Sequence, residues 1–335
     1  MATIKTVAKL AGVSASTVSR TISGKGYVND TTKEKIQEAI RQTGYSPNVL
    51  AKSLKMGSSN TIALLVPDIQ NLIFPAITRG IEDTARKNGF AVLLCNTDED
   101  SDVEKGYIDK LKNRWIDGFV VCSYTPGSNH IRALHSAGFP TVLVNRYEPG
   151  SPIDTITIDN YQSAYNAVGY LIRGGSKHIA IALGREELIL YRERYRGYCD
   201  ALKDTGLPYD EALVMRETSG SDSFYGLTKE LFAKNKNVDG IFATSDPKAF
   251  VVLHALHDLG IKIPSDVAVI GFDNVDLSAK VEPPLSTVSQ PLYEMGVIAA
   301  TKLIRQIKYK VKNGVLPAPV CEVLNTDLIV RRSTR

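Results

Sequence analysis

The sequence predicts an α/β protein in which an N-terminal helix-turn-helix domain precedes a core of two doubly wound, parallel-sheet subdomains. Three short helical segments separated by turns lie before residue 47. From Thr61 onward, short β-rich apolar runs alternate with helix-length segments, which is typical of parallel sheets buried on both faces. One short motif also recurs in the second half of the chain, and this recurrence indicates two similar halves.

The N-terminal segment has the periodicity and the turn signals of three joined helices. Apolar residues at helical spacing mark the first and third helices: Ile4, Val7, Ala8 and Ala11, then Ile36, Ala39, Ile40 and Thr43. The turns are Ala11-Gly12-Val13 and Gly24-Lys25-Gly26, and Asn29 is the predicted N-cap of the third helix. Tyr45-Ser46-Pro47-Asn48 is predicted to close that helix, because a residue before proline disfavours helical backbone.

The segment 14–23 is the predicted reading helix, the second helix of a helix-turn-helix unit. Val18 and Ile22 lie four residues apart and so share a buried face, while Ser16 and Arg20 project from the opposite side. Ser14 is the predicted N-cap. Arg20 has the chemistry to bind a guanine edge, worth about 1–3 kcal/mol of discrimination, with a phosphate contact or a solvated charge as the alternative.

The charge distribution favours the same partner. Residues 1–60 hold nine Lys/Arg and three Asp/Glu, a net charge of +6, whereas residues 61–335 hold 31 and 33, a net charge of −2. A basic surface confined to a helical segment favours binding to phosphate backbones through counterion release.

The segment 47–60 is predicted to be a linker that becomes helical on DNA. Val49 to Met56 has helix-forming composition, but an isolated helix in water needs about 12–15 residues. Leu54 would then act as an apolar wedge in the minor groove. The alternative is a flexible linker in which Leu54 packs on its own domain.

The core shows seven β-rich runs and one internal repeat. The runs are Ile62–Val66, Ala91–Leu94, Phe119–Cys122, Thr141–Val144, Ile179–Leu183, Ile241–Ala243 and Val267–Ile270. Ile116-Asp117-Gly118-Phe119 is matched by Val238-Asp239-Gly240-Ile241. Two similar halves would place a ligand in the cleft between them, at the carboxyl ends of the strands.

Several other classes of site lack support. The four scattered cysteines (Cys95, Cys122, Cys199 and Cys321) favour buried thiols in a reduced compartment, and the absence of a signal-peptide pattern or long apolar run favours the cytoplasm. Asp98 to Asp102 has calcium-loop spacing but Val103 where glycine is required. His254 and His257 have no third ligand at recognisable spacing, and we expect no metal and no cofactor.

Ordered motifs extend along the whole chain. They are Val7-Ala8-Lys9-Leu10-Ala11-Gly12-Val13-Ser14, Thr17-Val18-Ser19-Arg20, Gly44-Tyr45-Ser46-Pro47-Asn48, Ala51-Lys52-Ser53-Leu54, Arg194-Tyr195-Arg196-Gly197-Tyr198, Ile270-Gly271-Phe272-Asp273-Asn274 and Pro284-Leu285-Ser286-Thr287-Val288-Ser289-Gln290-Pro291. With these motifs the chain resembles the lactose/galactose repressor (LacI/GalR) family of bacterial transcription regulators.

The resemblance implies a DNA-binding domain at 1–46, a hinge helix at 47–60 and a periplasmic-binding-protein-like core at 61–335. The chain would cross between two subdomains three times, with about 61–159 and 291–321 in the first and 160–290 and 322–335 in the second. It also implies a homodimer on pseudo-palindromic, double-stranded operator DNA. The implied DNA-binding residues are Ala15, Ser16, Thr17, Ser19, Arg20, Asn48 and Leu54.

The same resemblance implies an effector site in the cleft. Arg194 and Asp273 match the family's two main polar positions, Gln290 matches a third, and Phe74 matches a stacking aromatic. Asn145 replaces a frequent aspartate, Ser245 replaces a frequent asparagine, and Ser221 aligns roughly where an aromatic is common. With Arg146 and Arg192 nearby in sequence, the effector is expected to be a sugar, a sugar acid or a sugar phosphate.

The resulting prediction is a sequence-specific transcriptional regulator of a carbohydrate-utilisation operon, with repression as the expected mode and no enzymatic activity. One alternative is a catabolite-type regulator that uses a phosphorylated carrier protein as co-regulator, which segment 291–312 resembles in part. Two other classes are disfavoured: a small-molecule binding protein without DNA function, against which the basic N-terminal segment and the lack of a signal-peptide pattern argue, and an enzyme, for which no catalytic residue can be named.

Overall fold

The computed structural model describes residues 2–23, 26–45, 58–113, 116–218 and 223–335. The chain divides into two compact units, Met1–Ser59 and Asn60–Arg335. None of the helices in these described ranges is long and apolar enough to cross a membrane.

The N-terminal unit contains α1 (Ile4–Ala11), α2 (Ala15–Ser23) and α3 (Asp30–Thr43). Its small core consists of Val7, Ala8, Val18, Ile36 and Ala39. Each of these residues lies on the apolar stripe of its own helix, so the predicted three-helix unit is confirmed.

The two ends of α3 compare differently with the prediction. Asn29 is the N-cap, as predicted, and its side chain accepts a hydrogen bond from the Thr32 N–H at 2.8 Å. The helix ends at Thr43, because Gly44 adopts a left-handed backbone with φ of 61° and donates its N–H to the Arg41 carbonyl. A left-handed glycine thus ends the helix before the proline sequence is reached, and the prediction that Tyr45-Ser46-Pro47-Asn48 closes it is wrong.

The first subdomain of the core is built on a six-stranded parallel sheet. Its strands are β1 (Thr61–Val66), β2 (Ala91–Asn96), β3 (Gly118–Val121), β4 (Thr141–Val144), β5 (Asp154–Ile158) and β11 (Cys321–Leu324), in the spatial order β11-β5-β4-β3-β1-β2. Its helices are α4 (Phe74–Lys87), α5 (Ser101–Lys112), α6 (Asn129–Ser136) and α11 (Leu292–Asn313).

Two glycines let α4 and α11 approach backbone to backbone. A Cβ atom on Gly80 would lie 2.1 Å from the Tyr293 carbonyl oxygen, and one on Gly296 would lie 2.1 Å from the Ile77 carbonyl oxygen. No side chain fits at either position, so this helix pair depends on glycine at both points of contact.

The second subdomain repeats the same plan. Its strands are β6 (Ile179–Leu183), β7 (Val214–Arg216), β8 (Gly240–Ala243), β9 (Ala268–Asp273), β10 (Ser286–Ser289) and β12 (Asp327–Ile329), in the order β12-β10-β9-β8-β6-β7, with β12 antiparallel to β10. Its helices are α7 (Asn160–Arg173), α8 (Ile189–Asp204), α9 (Ser223–Lys234) and α10 (Asp246–Asp258), with 3-10 turns at Glu211–Leu213 and Asp276–Ala279.

The chain passes from one sheet to the other three times: after β5, after β10 and after β11. The last crossing corrects one expected boundary. Residues 322–324 lie in β11, which pairs with β5 of the first sheet, so they do not belong to the second subdomain.

The repeated Asp-Gly motif lies at matching places in the two sheets. β3 begins at Gly118 and β8 at Gly240, and each is fourth in its strand order. The Asp117 carboxylate accepts a hydrogen bond from the Asn60 N–H at 2.8 Å, and Asp239 accepts from the Lys177 and His178 N–H groups at 2.9 Å. The aspartate of each half thus holds the start of the neighbouring strand, and the prediction of two similar halves is confirmed.

The seven predicted runs coincide with β1, β2, β3, β4, β6, β8 and β9, while the other five strands were not predicted. The strand β5 was missed because its polar residues interrupt the run of apolar residues that marks a buried strand. Thr155 donates its hydroxyl to the Ile153 carbonyl at 3.0 Å, and Asp154 accepts hydrogen bonds from Gln306 Nε2 and Val320 N–H, both at 2.6 Å. These partners, two of them distant in sequence, let polar side chains enter a fully buried strand.

The structure also locates the four cysteines and the residues that were considered as metal ligands. Cys95 and Cys122 are buried and Cys199 is half-buried, but Cys321 is exposed on the edge strand β11, so the expectation of buried thiols is wrong for Cys321. Asp100, within the calcium-like sequence, caps α5 by accepting a hydrogen bond from the Asp102 N–H at 2.7 Å. His254 and His257 lie exposed beside Asp258.

Candidate effector cleft and DNA-reading helix

A small cavity of about 20 Å³ lies between the two subdomains at the carboxyl ends of their strands. Five of the six predicted effector residues line it: Phe74, Asn145, Arg194, Ser245 and Asp273. The sixth, Gln290, donates from Nε2 to the Asp273 carboxylate at 2.6 Å. All six lie close together although they are spread over more than 200 positions of the sequence, and each is almost fully buried.

Arg194 is the central cation of the cleft and is 1 % exposed. Its Nε donates to Asn160 Oδ1 at 2.9 Å, and its Nη1 donates to the Thr244 carbonyl at 2.6 Å and lies 3.9 Å from Asp273 Oδ1. The guanidinium carbon lies 3.5 Å from the centroid of the Phe272 ring. Burial lowers the pKa of Arg194, and the nearby Asp273 opposes that shift. These contacts hold the guanidinium in one orientation towards the cavity.

Asp273 is a buried carboxyl at the end of β9 with a backbone φ of 126°. Burial raises its pKa to about 7, Arg194 opposes this rise, and the neighbouring Asp246 adds to it. Asp246 itself accepts hydrogen bonds from Ser278 and Thr287 hydroxyls at 2.6 Å and from the Val275 N–H at 3.0 Å. The Asp246 carboxylate is therefore fully occupied by these three hydrogen bonds, whereas Asp273 lines the cavity.

Three buried polar atoms at the cleft have no hydrogen-bond partner within the described part of the chain: Asn145 Oδ1, Arg194 Nη2 and Gln290 Oε1. Two of them are acceptors and one is a donor. Buried polar atoms without partners cost free energy unless something else satisfies them. The arrangement is therefore complementary to a ligand that both donates and accepts hydrogen bonds.

The other charged groups around the cleft are paired with one another. Arg146 donates both Nη atoms to the Glu99 carboxylate at 2.7 Å, and Glu99 also lies 3.5 Å from Arg185 of the second subdomain. Lys248 Nζ lies 3.0 Å from the Glu217 carboxylate. Arg146 is therefore neutralised, which weakens the expectation that it attracts an acidic group on the effector.

Sequence reasoning missed several residues of the site. Asn160 orients Arg194, Tyr191 lines the cavity, and Glu99 holds Arg146. Tyr191 carries a usable signal, because it precedes Arg194 by three residues on α8 and therefore shares its face. Asn160 and Glu99 carry no such signal, since each meets its partner only through the tertiary fold.

The DNA-reading helix α2 is capped as predicted. Ser14 Oγ accepts a hydrogen bond from the Thr17 N–H at 3.1 Å and lies 2.7 Å from Ser16 Oγ and 2.8 Å from Thr17 Oγ1. Ser16, Ser19 and Arg20 are exposed, whereas Ala15 and Thr17 are half-buried. The exposed residues form the face that the sequence assigned to DNA, with Thr17 turned towards the cap.

Three other predicted positions, Asn48, Leu54 and Ser221, lie outside the described residues, as does most of the predicted hinge at 47–60.

Two family models match the chain. Residues 3–48 match the model described as bacterial regulatory proteins of the lacI family, and residues 59–320 match the periplasmic binding proteins and sugar binding domain of the LacI family. The chain belongs to the LacI family. As a LacI-family member it is a DNA-binding transcriptional regulator with an effector-binding core, as the sequence motifs predicted.

Relatives along the whole length agree with this assignment. The HTH-type transcriptional regulator RegA of Clostridium saccharobutylicum is 35% identical over 99% of this chain and 98% of its own. Catabolite control protein A of Priestia megaterium is 33% identical over 95% of this chain and 96% of its own. The structure of a complex of the transcriptional regulator CelR with cellobiose has a TM-score of 0.74, 31% identity, and coverage of 99% of this chain and 100% of that one.

Proposed function

We propose that this LacI-family regulator controls a carbohydrate-utilisation operon, most simply as a repressor, in response to a neutral sugar bound in the cleft. The observation that carries the proposal is the set of three unpartnered buried atoms, Asn145 Oδ1, Gln290 Oε1 and Arg194 Nη2. A hydroxyl group both donates and accepts, so neighbouring sugar hydroxyls satisfy all three. The cellobiose complex of the related CelR supports this ligand class.

The same atoms disfavour an acidic effector. A carboxylate or phosphate oxygen only accepts hydrogen bonds, so it would face the two unpartnered amide oxygens of Asn145 and Gln290 without satisfying them. The neighbouring cations are also already paired, Arg146 with Glu99 and Lys248 with Glu217. Of the three effector classes expected from the sequence, the neutral sugar therefore fits best.

On the DNA side, the proposed contacts are Ala15, Ser16, Thr17, Ser19 and Arg20 of α2, together with Asn48 and Leu54 of the linker. Ser16, Ser19 and Arg20 are exposed on one helix, which supports the first group. We propose that two copies of the chain bind the two halves of a pseudo-palindromic duplex, as helix-turn-helix dimers do. We propose that the protein acts in the bacterial cytoplasm, because its DNA target lies there.

The proposed coupling runs from the cleft to the linker. Effector closure of the cleft would rotate one subdomain against the other and alter the spacing of the two linkers in a dimer. A useful switch requires differential affinity of about 1–3 kcal/mol between the two states. Whether the effector releases or recruits DNA follows from the state that it binds more tightly. The alternative with a phosphorylated carrier protein as co-regulator stays a prediction.

A thermal-shift screen of neutral sugars, sugar acids and sugar phosphates against the full chain tests the effector class. We expect the hits to be neutral sugars. The Arg194→Ala variant should weaken binding of a hit about 10- to 100-fold in calorimetry, because a buried charged donor is lost. Arg196→Ala, two residues further along α8, exposed and paired with Glu193, is the matched control and should bind normally.

Two outcomes would contradict the proposal: a sugar acid or phosphate that binds more tightly than its neutral parent, or an Arg194→Ala variant with unchanged affinity. Footprinting on duplexes selected by the protein from a random pool, with and without the hit, then tests regulation. Recovery of the sugar unchanged after incubation is the expected result, because we propose that the protein is not an enzyme.

A further inference from the structure

A groove of about 510 Å³ lies on the surface of the first subdomain, between the end of α4 and the second half of α11. Asn88 lines it from the α4 side, and α11 contributes Arg305, Lys308, Tyr309 and Lys312 among its lining residues. No acidic residue of the described chain lines it, and it shares no residue with the effector cleft.

The groove lies at the edge of the first sheet where the strands begin. Gln306 of α11 accepts a hydrogen bond from the Thr141 N–H at 2.9 Å, at the start of β4, and donates to Asp154 at 2.6 Å, at the start of β5. After α4 the chain enters β2, where the Ala91 N–H donates to the Asn60 carbonyl at 2.8 Å. Asn60 is the first residue of the core. The groove therefore shares its sheet edge with the point at which the chain enters the core.

The part of α11 beside the groove is strongly basic, although the core as a whole is not. Residues 295–321 contain five Lys/Arg and no Asp/Glu, whereas the core has a net charge of −2. Two of the five cations have partners within the core. Lys302 Nζ lies 3.0 Å from the Glu322 carboxylate, and Lys310 Nζ lies 5.3 Å from the centroid of the Phe139 ring. The other three cations line the groove.

These three cations are Arg305, Lys308 and Lys312. Each is exposed, and none forms an ion pair with any residue that the structure describes. Their spacing of three and four residues places them on one face of α11, over about 10 Å of helix axis. The helix dipole favours cations only in the last turn, so it does not account for Arg305 and Lys308. The cluster therefore has the charge to bind an extended anion.

We propose that the groove binds the phosphate backbone of double-stranded DNA outside the sequence that α2 reads, so that the core makes a second, sequence-independent contact. Each strand of a duplex carries one negative charge per about 3.4 Å of axis, so the cations match about three successive phosphates. Tyr309, which is 41% exposed, adds a hydroxyl donor of a kind that contacts phosphates. Such contacts add affinity and carry no sequence preference.

DNA is favoured over an acidic protein because the chain itself ties DNA to the core. α3 ends at Thr43 and β1 begins at Thr61, so 17 residues, 44–60, join the DNA-reading helices to the first sheet. A stretch of this length extends to at most about 60 Å. A duplex held by α2 is therefore tethered within reach of this sheet edge at a high effective concentration, which a free protein partner lacks.

Binding of the full chain to the duplex selected from the random pool tests the inference. The duplex is used in a short form with only the recognition sequence and in a long form with about 15 further base pairs on each side. At about 50 mM salt, Lys308→Gln/Lys312→Gln should weaken binding of the long form about tenfold and of the short form less than about twofold. On the long form, the slope of log affinity against log salt should fall by about 0.9 for each lysine removed.

Lys234→Gln/Lys236→Gln is the matched control, because it removes the same charge from two exposed lysines at and after the end of α9 in the second subdomain. It should bind both duplexes as the wild type does. Arg305→Gln tests the groove independently and should also weaken only the long form. All the substituted residues are exposed, so unchanged melting temperatures are expected and check that each variant folds.

Three outcomes would overturn the inference. If Lys308→Gln/Lys312→Gln and the wild type bind the long form equally, the groove serves another anion, such as an acidic protein. Equal weakening of the short and long forms, or an equal loss in the control, would mean that the lysines act only through net charge. The proposed effector is tested separately, because its binding is measured without DNA.

Discussion

At the residue scale, Asp273 makes stability depend on pH in an unusual direction. An unfolded aspartate has a pKa of about 3.9, whereas burial raises the pKa of folded Asp273 to about 7. Between these values the folded state binds more protons than the unfolded state, so stability falls as pH rises. This contribution is fully present below about pH 4 and is lost as pH rises through about 7. Asp273→Asn, which has no charge to titrate, should lose less stability between pH 5 and pH 8 than the wild type.

Denaturant unfolding of the core at the two pH values measures this difference. Asp83→Asn is the matched control, because ion pairs with Arg79 and Arg86 lower the pKa of Asp83 to about 2. The contribution of Asp83 is present above about pH 4 and lost only as pH falls towards 2, so the control should keep the wild-type slope between pH 5 and pH 8. Equal slopes for wild type and Asp273→Asn would show that Asp273 is ionised throughout.

At the element scale, the contact between α4 and α11 predicts a large difference between two glycine substitutions. Gly296→Ala places a Cβ atom 2.1 Å from the Ile77 carbonyl oxygen, so the helices must separate. We expect destabilisation of about 1–3 kcal/mol, because overpacking forces backbone shifts. Gly106→Ala in α5 meets nothing within 4 Å and should be neutral or stabilising by about 0.4–1 kcal/mol.

Thermal and urea unfolding of both glycine variants provide the measurement. A Gly296→Ala variant as stable as Gly106→Ala would mean that the two helices do not approach as closely as described. In the double variant, the changes in the free energy of unfolding caused by the two substitutions are expected to add, since the two sites share no partner. Gly106→Ala should therefore offset a small part of the loss caused by Gly296→Ala.

At the scale of the whole molecule, the edge strand β2 supports the proposed homodimer. Leu93 is 42% exposed and Leu94 is 37% exposed on this edge strand, and Leu72 is 40% exposed in the segment that follows β1. An exposed apolar edge is a common site of association between chains. Leu93→Glu should therefore shift the protein from dimer to monomer in sedimentation at micromolar concentration and weaken operator binding. Val311→Glu, at a residue that is 72% exposed on α11, is the control and should remain dimeric. A dimeric Leu93→Glu variant would place the interface elsewhere.

The sequence predicted the parts of this molecule that depend on local pattern. The caps Ser14 and Asn29 and the apolar strands of both sheets have signals within a few residues of themselves. The grouping of Arg194, Asp273 and Asn145 came from resemblance, because nothing local relates them. The strand β5 and the pairing of Glu99 with Arg146 were missed, since polar residues become buried there only through partners distant in the chain. Sequence patterns therefore do not predict buried polar residues whose hydrogen-bond partners are distant in the chain.

The crossing between β11 and β12 has a consequence for biosynthesis. Each sheet takes a strand from within residues 321–329, whereas the other strands of the first sheet end by Ile158 and those of the second end by Ser289. The N-terminal helices have all their core residues before Thr43 and are able to fold as soon as they emerge. Each of the two sheets therefore lacks one edge strand until residues 321–329 are translated. The DNA-reading head is thus complete early, while the effector-sensing core closes both of its sheets almost at the same moment.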